Sequence, residues 1–270
     1  MGQMIKTAQE LDGMRRAGAF NGELMDYLRP YVKAGITTDE LNTLAYDYTI
    51  QNGHTPACLG YHGFPKSLCS SINNVVCHGI PSATDILKEG DIVNVDLTTI
   101  VDGFYGDSSE TFLIGYVSSR ARKLVAVTAR SLVMAIERVK PGMPLSTIGD
   151  IIQPFVQSHG YSVVQEYTGH GVGRQFHENF SVFHHRTREC DQVVLRPGMT
   201  FTIEPMINMG KQAVVTDKQD KWTVRTKDKS LSAQFEHTIA VTETGLEVLT
   251  LTPSQRLSGQ ILNVIGMEKY

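Results

Sequence analysis

The chain has 270 residues, 41% hydrophobic and 20% charged, with a formal net charge of −3. This composition supports a buried core and excludes a disordered chain, and the near-neutral balance offers no basic field for DNA or a membrane surface. No window reaches the ~18 apolar residues of a membrane span, residues 1–16 lack the apolar stretch of a secretory signal, and the four cysteines, without C-x-x-C spacing, read as thiols of a reducing cytoplasm.

Thr7-Ala8-Gln9-Glu10 is a capping-box pattern. Leu11, Met14, Leu24, Met25 and Leu28 follow near helical spacing, so a helix is predicted to about Arg29. Thr38 is predicted to cap a second helix carrying Leu41, Leu44, Ala45 and Tyr48, which Asn52-Gly53 stops. Strands over 91–100 and 104–114 flank Asp102-Gly103, a strong two-residue hairpin signal. Ser118 or Ser119 then starts a long helix to about Arg138. Ser146 starts a shorter one that ends before Gly160, with Pro154 where a proline kinks a helix. Further strands are predicted over 162–167, 200–208, 222–226 and 234–241.

The order of elements repeats, and so do residues. Val32-Lys33-Ala34-Gly35 and Val139-Lys140-Pro141-Gly142 are offset by 107 positions, and the stretches 88–96 and 196–204 by 108. Each longer copy runs from a basic residue through a glycine and a strand to a carboxylate, Asp96 or Glu204. The expectation is an α+β chain forming a single domain over 1–270. It is built from two similar halves, about 1–115 and 116–252, with a site between them.

If Asp102 and Gly103 form the loop, Thr98 faces Asp107. Side chains alternate with period 2, so Asp96 and Asp107 share a face as diagonal neighbours. Carboxylates that close repel, and a cation relieves them; two solvated acids on an exposed face is the competing account. Three further stretches favour the cation. Thr168-Gly169-His170-Gly171 sets a histidine among glycines, Phe201-Thr202-Ile203-Glu204 ends an apolar strand with an acid, and Phe235-Glu236-His237-Thr238-Ile239 buries another. A buried unpaired carboxylate is costly. Asp96, Asp107, His170, Glu204 and Glu236 are therefore the candidate metal ligands. Four carboxylates with one imidazole suit Mn, Fe or Co better than a structural zinc, and their number suggests two metals sharing bridging ligands. His62, His159, His184, His185 and His237 read as structural or surface residues, His237 because it alternates to the face opposite Glu236.

Whole blocks then match a known family. Cys58-Leu59-Gly60-Tyr61-His62-Gly63-Phe64, Asn73-Asn74-Val75-Val76-Cys77-His78-Gly79, Val93-Asn94-Val95-Asp96, Gly169-His170-Gly171-Val172-Gly173, Phe176-His177-Glu178, Thr202-Ile203-Glu204-Pro205 and Gln234-Phe235-Glu236-His237 resemble the type I methionine aminopeptidases of the pita-bread fold. The resemblance covers roughly 4–252. It implies two pseudo-symmetric α/β halves whose antiparallel sheet cradles a dinuclear metal site. It implies removal of the initiator methionine from nascent proteins, with a small second residue preferred. Asp96 and Asp107 would ligate the metal pair, Asp107 bridging; His170 would bind one metal and Glu236 would bridge. Glu204 would ligate and act as general base toward the attacking water. His78 and His177 would contact the substrate around the scissile amide. The methionine side chain would sit among Cys58, Tyr61, Phe64, Cys69, Phe176 and Trp222, although Cys58, Phe64, Cys69 and Phe176 read first as ordinary core. Asn73, Val75 and Ser232 match a monovalent-cation site of the family.

The implied cofactors are two divalent metals, from Co, Mn, Fe or Zn, and one monovalent cation. The implied partners are nascent N-termini and, transiently, the ribosome, for a cytoplasmic monomer that engages neither membrane nor DNA. Two positions depart from the family. Phe64 replaces a frequent hydroxylated aromatic, making the pocket rim less polar, and Phe180 replaces a frequent proline, setting loop 179–185 on a different path. Prolidase and aminopeptidase P look similar in their catalytic halves but carry a sizeable extra N-terminal domain, and only 95 residues precede Asp96 here. A non-catalytic binder of this fold would have lost ligands, whereas all five positions are filled. The spacing leaves no room for the helical insertion of type II relatives.

Overall fold

In the computed structural model, which describes residues 4–264 and 266–270, the first capping box closes as predicted. The Thr7 hydroxyl accepts the Glu10 N–H, the Glu10 carboxylate accepts the Thr7 N–H, and α1 (Ala8–Leu28) follows. The second helix, α2 (Thr38–Gln51), is capped by Thr37 rather than Thr38. Thr37 and Glu40 form a second capping box, and that reciprocal pair decides the start. Short strands β1 (Thr55–Pro56), β2 (Cys69–Ile72) and β3 (Val75–Cys77) lead to the hairpin of β4 (Ile92–Val101) and β5 (Phe104–Leu113). Asp102 and Gly103 have φ of 52° and 78°, as a type I′ turn requires, and Thr98 faces Asp107.

The second half begins with α3 (Ser119–Arg138), capped by Ser118, and α4 (Thr147–Ser158), which runs through Pro154 to its end. Ser146 precedes α4 but makes no side-chain cap bond. Then come β6 (Ser162–Val163), β7 (Gly169–Gly171), β8 (Glu178–Val182), β9 (Thr200–Ile203), β10 (Met206–Asn208) and β11 (Val214–Thr216). They are followed by β12 (Val224–Thr226), β13 (Ser232–Gln234), β14 (Glu236–Val241), β15 (Leu246–Val248) and α5 (Pro253–Ser258). A nine-stranded antiparallel sheet runs β1-β4-β5-β14-β9-β7-β8, with β2 beside β4 and β15 beside β14. Two three-stranded sheets, β13-β10-β6 and β11-β12-β3, flank it.

The repeat is visible in the backbone. The Gly35 N–H donates to Leu87 O and the Leu87 N–H to Ile36 O; at equivalent positions Gly142 donates to Leu195 O and Leu195 to Met143 O. Each pseudo-repeat therefore clips its helix pair to the start of its carboxylate strand in the same way.

Two predicted strands are each broken. The stretch 200–208 divides at Glu204-Pro205 into β9, in the large sheet, and β10, in a small one. Pro205 has no N–H for a ladder, which makes it a natural break. The stretch 234–241 divides at Phe235 in the same manner: Gln234 pairs with Met206, whereas His237 pairs with Ile203. Glu204 and Glu236 stand at the two breaks.

Period-2 alternation orients the sheet. Val93, Val95 and Leu97 are buried against Leu24, Leu28 and Leu41 of the first helix pair. Phe201, Ile203 and Ile239 are buried against Leu124, Leu132 and Ile148 of the second. The intervening Asp96, Thr98, Thr202 and Glu204 therefore face the opposite side, away from the helices. Helix α1 lies close on the hairpin. Asn21 Nδ2 donates to Leu97 O and Gly106 O, and a Cβ at Gly106 would come within 2.4 Å of Ala17 O. Gly106→Ala must push α1 away. Overpacking of this kind costs ~1–3 kcal/mol, and each kcal/mol lowers the melting temperature of a domain this size by ~2–4 °C. Calorimetry should show a loss of several degrees, and an unchanged melting temperature would contradict the close approach.

Candidate active site

Strand pairing gathers the predicted ligands. Asp96 and Glu236 both pair with Ser109, on either side of β5, and Asp107 lies two residues from Ser109 on the same face. Glu204 follows Ile203 and Glu236 precedes His237, so the two carboxylates continue the β9–β14 pairing. His170 enters from β7, where its N–H donates to the Thr202 hydroxyl at 3.0 Å. Ligand atoms of Asp107, His170 and Glu236 all lie within 4.8 Å of one another. His170 Nε2 is 3.4 Å from Asp107 Oδ2 and 3.6 Å from Glu204 Oε1. Asp96 and Glu204 border this trio and line the same cavity.

Burial first, and crowding second, set the electrostatics of the acids. Burial, and then Asp107, hold the Asp96 carboxyl well above the ordinary carboxylate range. Burial, then Asp107 and Glu204, do the same to Glu236. Burial pushes Glu204 up to about 7, against the pull of His170. His170 Nδ1 lies 3.1 Å from the Gly171 carbonyl, which only accepts, so Nδ1 carries the proton and Nε2 turns its lone pair toward the carboxylates when the ring is neutral. Hydroxyls and an amide hold the acids in place. Thr98 donates to Asp107 Oδ1 at 2.8 Å, Thr202 to Glu204 Oε1 at 2.7 Å and Gln234 to Glu204 Oε2 at 3.2 Å. Thr98 reaches Asp107 across the hairpin, as the predicted register sets it, and Thr202 stands two positions from Glu204 on the same face; Gln234 reaches Glu204 across 30 positions, where no local signal points to it.

The cavity has a volume of about 470 Å³. Cys58, Phe64 and Cys69 form a buried cluster with Phe176, Trp222 and Ile80 packed against it, and the six predicted pocket residues all line the hollow. Phe64 is buried, edge-on to Trp222 at 5.2 Å, so it is a wall of the pocket rather than part of its rim. Phe180 packs on Gly171 and near Phe201, inside the β7–β8 corner. The neighbouring Cys58 thiol, then burial, keep Cys69 protonated far above neutrality. His78 and His177 also line the hollow, and so does His62, which the sequence did not single out as a site residue. Burial lowers His78 to about 4, so its ring is neutral at pH 7; His177, more open to solvent, is lowered by partial desolvation and by the neighbouring His170. His78 has φ of 56°, a strained backbone for a non-glycine residue and a feature common at functional sites. The His177 ring is tilted against that of His170 with centroids 4.0 Å apart, and its Nδ1 is 2.7 Å from the Tyr61 hydroxyl. His237 points elsewhere, to Thr250 and the Ile261 carbonyl.

Asn73 and Ser232 also meet: the Ser232 N–H donates to Asn73 O at 2.8 Å, and Val75 lies on the adjoining β3. The Asn73 side chain bonds Asp91 and the Ile92 N–H, so backbone carbonyls are what these residues can offer a cation.

A family model described as metallopeptidase family M24 matches residues 12–243. The chain belongs to this family. The M24 chain is 54% identical over 248 residues to the methionine aminopeptidase of Escherichia coli (strain K12), covering 92% of this chain and 93% of that protein. The crystal structure of methionine aminopeptidase from Rickettsia prowazekii superposes with a TM-score of 0.89 at 47% identity, covering 92% and 99% of the two chains. A Xaa-Pro dipeptidase from Bacillus anthracis, 20% identical with a TM-score of 0.75, shares the fold; 93% of this chain spans 62% of that one. Among the described residues, no helix is long and apolar enough to cross a membrane.

The site fits the metal that the family name implies. Glu236 Oε1 is buried and finds no hydrogen-bond partner among the described residues. Its neighbours are carboxylates and an imidazole lone pair, a donor set for a divalent cation rather than for a proton. Thr98→Val removes the hydroxyl that fixes Asp107. Loss of such a supporting bond typically weakens metal affinity ~10–100-fold. Titration calorimetry with Mn should show that loss in a variant that keeps its melting behaviour; undiminished affinity would remove Thr98 from the site.

Proposed function

We propose that the chain is a methionine aminopeptidase that removes the initiator methionine from nascent proteins and prefers a small second residue. One observation carries this reading. A single cavity is lined both by Asp96, Asp107, His170, Glu204 and Glu236 and by thiols and aromatic rings, with Cys69 paired to Asp96 on the neighbouring strand. Soft sulfur and aromatic walls suit a thioether side chain, so a methionine seated there would present its amide bond beside the carboxylates.

Asp96, Asp107, His170, Glu204 and Glu236 would hold two divalent metals, with Asp107 and Glu236 shared; Co, Mn, Fe and Zn all suit these donors. Such metals lower the pKa of water toward neutrality and polarise a carbonyl. Glu204 takes a proton at its carboxylate from the attacking water and delivers it to the departing amine. Thr202 and Gln234 aim that carboxylate. His177 and His78, both neutral, donate from their rings to the substrate amide. In the tautomer where the Tyr61 phenol donates to Nδ1, the neutral His177 ring carries its proton on Nε2, the nitrogen left for the substrate. Asn73, Val75 and Ser232 belong to the same reading as carbonyl ligands of a monovalent cation.

The working unit is one domain over 1–270, with its pseudo-symmetric halves meeting at the site. On this reading it acts as a monomer, since one chain supplies every residue the site uses. Buried, unpaired cysteines are compatible with a cytoplasmic enzyme that meets nascent N-termini at or near the ribosome.

Chelated protein should not release methionine from Met-Ala-Ser, and Mn or Co should restore release; cleavage of Gly-Pro instead would favour the prolidase-like alternative. Met-Ala peptides should be cleaved faster than Met-Lys peptides, and equal rates would contradict the preference for a small second residue. His177→Ala should lower turnover ~10²–10³-fold, the size typical of one lost transition-state donor. Its metal content should stay intact and its Michaelis constant should change much less. A lost metal equivalent would make His177 a ligand.

A further inference from the structure

His177 reaches the cavity from a short turn between β7 and β8, and that turn has an unusual anchor. Lys6, close to the start of the chain, donates to both oxygens of Glu178, at 2.9 and 2.7 Å. The side chains are only 4% and 10% exposed. The pair joins residues 172 positions apart. Lys6 is itself held down, because its N–H donates to Gly198 O and Ile5 bridges to Met199. A second tie lies alongside, where Arg174 in the same turn pairs with Glu10 of the first capping box.

The geometry connects this anchor to the histidines. Gly171 pairs with Glu178 and His170 with Ser181 across a bulge, and the His177 ring, one residue before Glu178, lies 4.0 Å from the His170 ring. The Glu178 carboxylate lies against Gly173, where a Cβ would meet its Oε1 at 2.3 Å and Lys6 Cε at 2.4 Å. Beyond Gly173, the carbonyl of that residue accepts the Tyr105 N–H. A buried ion pair adds little net stability over an apolar pair of similar volume. Its value lies in fixing one arrangement.

We propose that Lys6 and Glu178 are positioning residues: their buried ion pair straps the N-terminal segment to the β7–β8 turn and sets His177 against His170 and Tyr61 at the mouth of the cavity. The catalytic consequence rests on the aminopeptidase reading; the strap itself does not. An error of ~1 Å in a positioned group can cost ~10²-fold in rate, so Glu178→Gln should lower kcat about tenfold or more, with a much smaller change in KM. Lys6→Arg, which keeps the charge, should retain most of the activity.

The decisive comparison is made in the His177→Ala background. There Glu178→Gln should cause no further loss, since coupled residues do not add. Hydrogen exchange followed by mass spectrometry should show faster exchange over 171–180 in Glu178→Gln, with α3 unchanged. Should Glu178→Gln fail to fold, Lys6→Met/Glu178→Leu removes both charges together and should show the same exchange and the same kcat loss. Wild-type kcat and wild-type exchange in either variant would overturn the proposal, as would an undiminished extra loss in the His177→Ala background. If the wild-type protein does not release methionine from Met-Ala-Ser, the functional reading fails, and the exchange measurement still decides the strap.

Discussion

Mutual repulsion among buried carboxylates is the constraint around which this molecule is organised. Asp96, Asp107, Glu204 and Glu236 share one hollow, with the His170 imidazole 3.4 Å from Asp107 and 3.6 Å from Glu204. Removing charge from water is expensive and like charges compound the expense, so such a cluster persists only if the surrounding fold forces it. The fold does so through sheet register. Each acid stands on or at the end of a strand, and turning Asp96, Glu204 or Glu236 away would expose the buried Val95, Ile203 or Phe235 beside it. The apolar core thus holds the polar face in a conformation it would not choose alone.

The two strand breaks sharpen the arrangement. At Glu204-Pro205 and at Phe235 the chain leaves one sheet for another, and both breaks fall at the same level. Carboxylates at the ends of a ladder keep lone pairs that the interior of a continuous sheet would crowd out. Thr98, Thr202 and Gln234 then direct those lone pairs without neutralising them.

Local signals were legible in the sequence. The Thr7–Glu10 box, the Asp102-Gly103 turn, the helix at Ser118 and the shared face of Asp96 and Asp107 all follow from contacts between near neighbours. The five metal-site candidates and the six pocket residues also line one hollow in the structure. What stayed hidden is tertiary. A continuous apolar run gives no hint that residues 200–208 divide between two sheets, because Pro205 reads as well at a strand end as at a sheet switch. The Thr37 cap was missed because adjacent threonines look alike until Glu40 is weighed. For Phe64 the patterning points to core and the family departure to the pocket rim, and burial decides for a wall. The bonds from Tyr61 to His177 and from Lys6 to Glu178 join residues more than a hundred positions apart, and no spacing rule reaches that far.

The same distances bear on how the protein comes into being. Asn94 meets the Gln234 carbonyl across 140 positions, and Asp107 meets Thr238 across 131. Loops of that length must close before four acids and an imidazole stand together, and contacts so far apart in sequence form slowly. A divalent ion entering this site would meet walls drawn from both halves of the chain, whose placement depends on hydrophobic burial and sheet registry far from the acids in sequence.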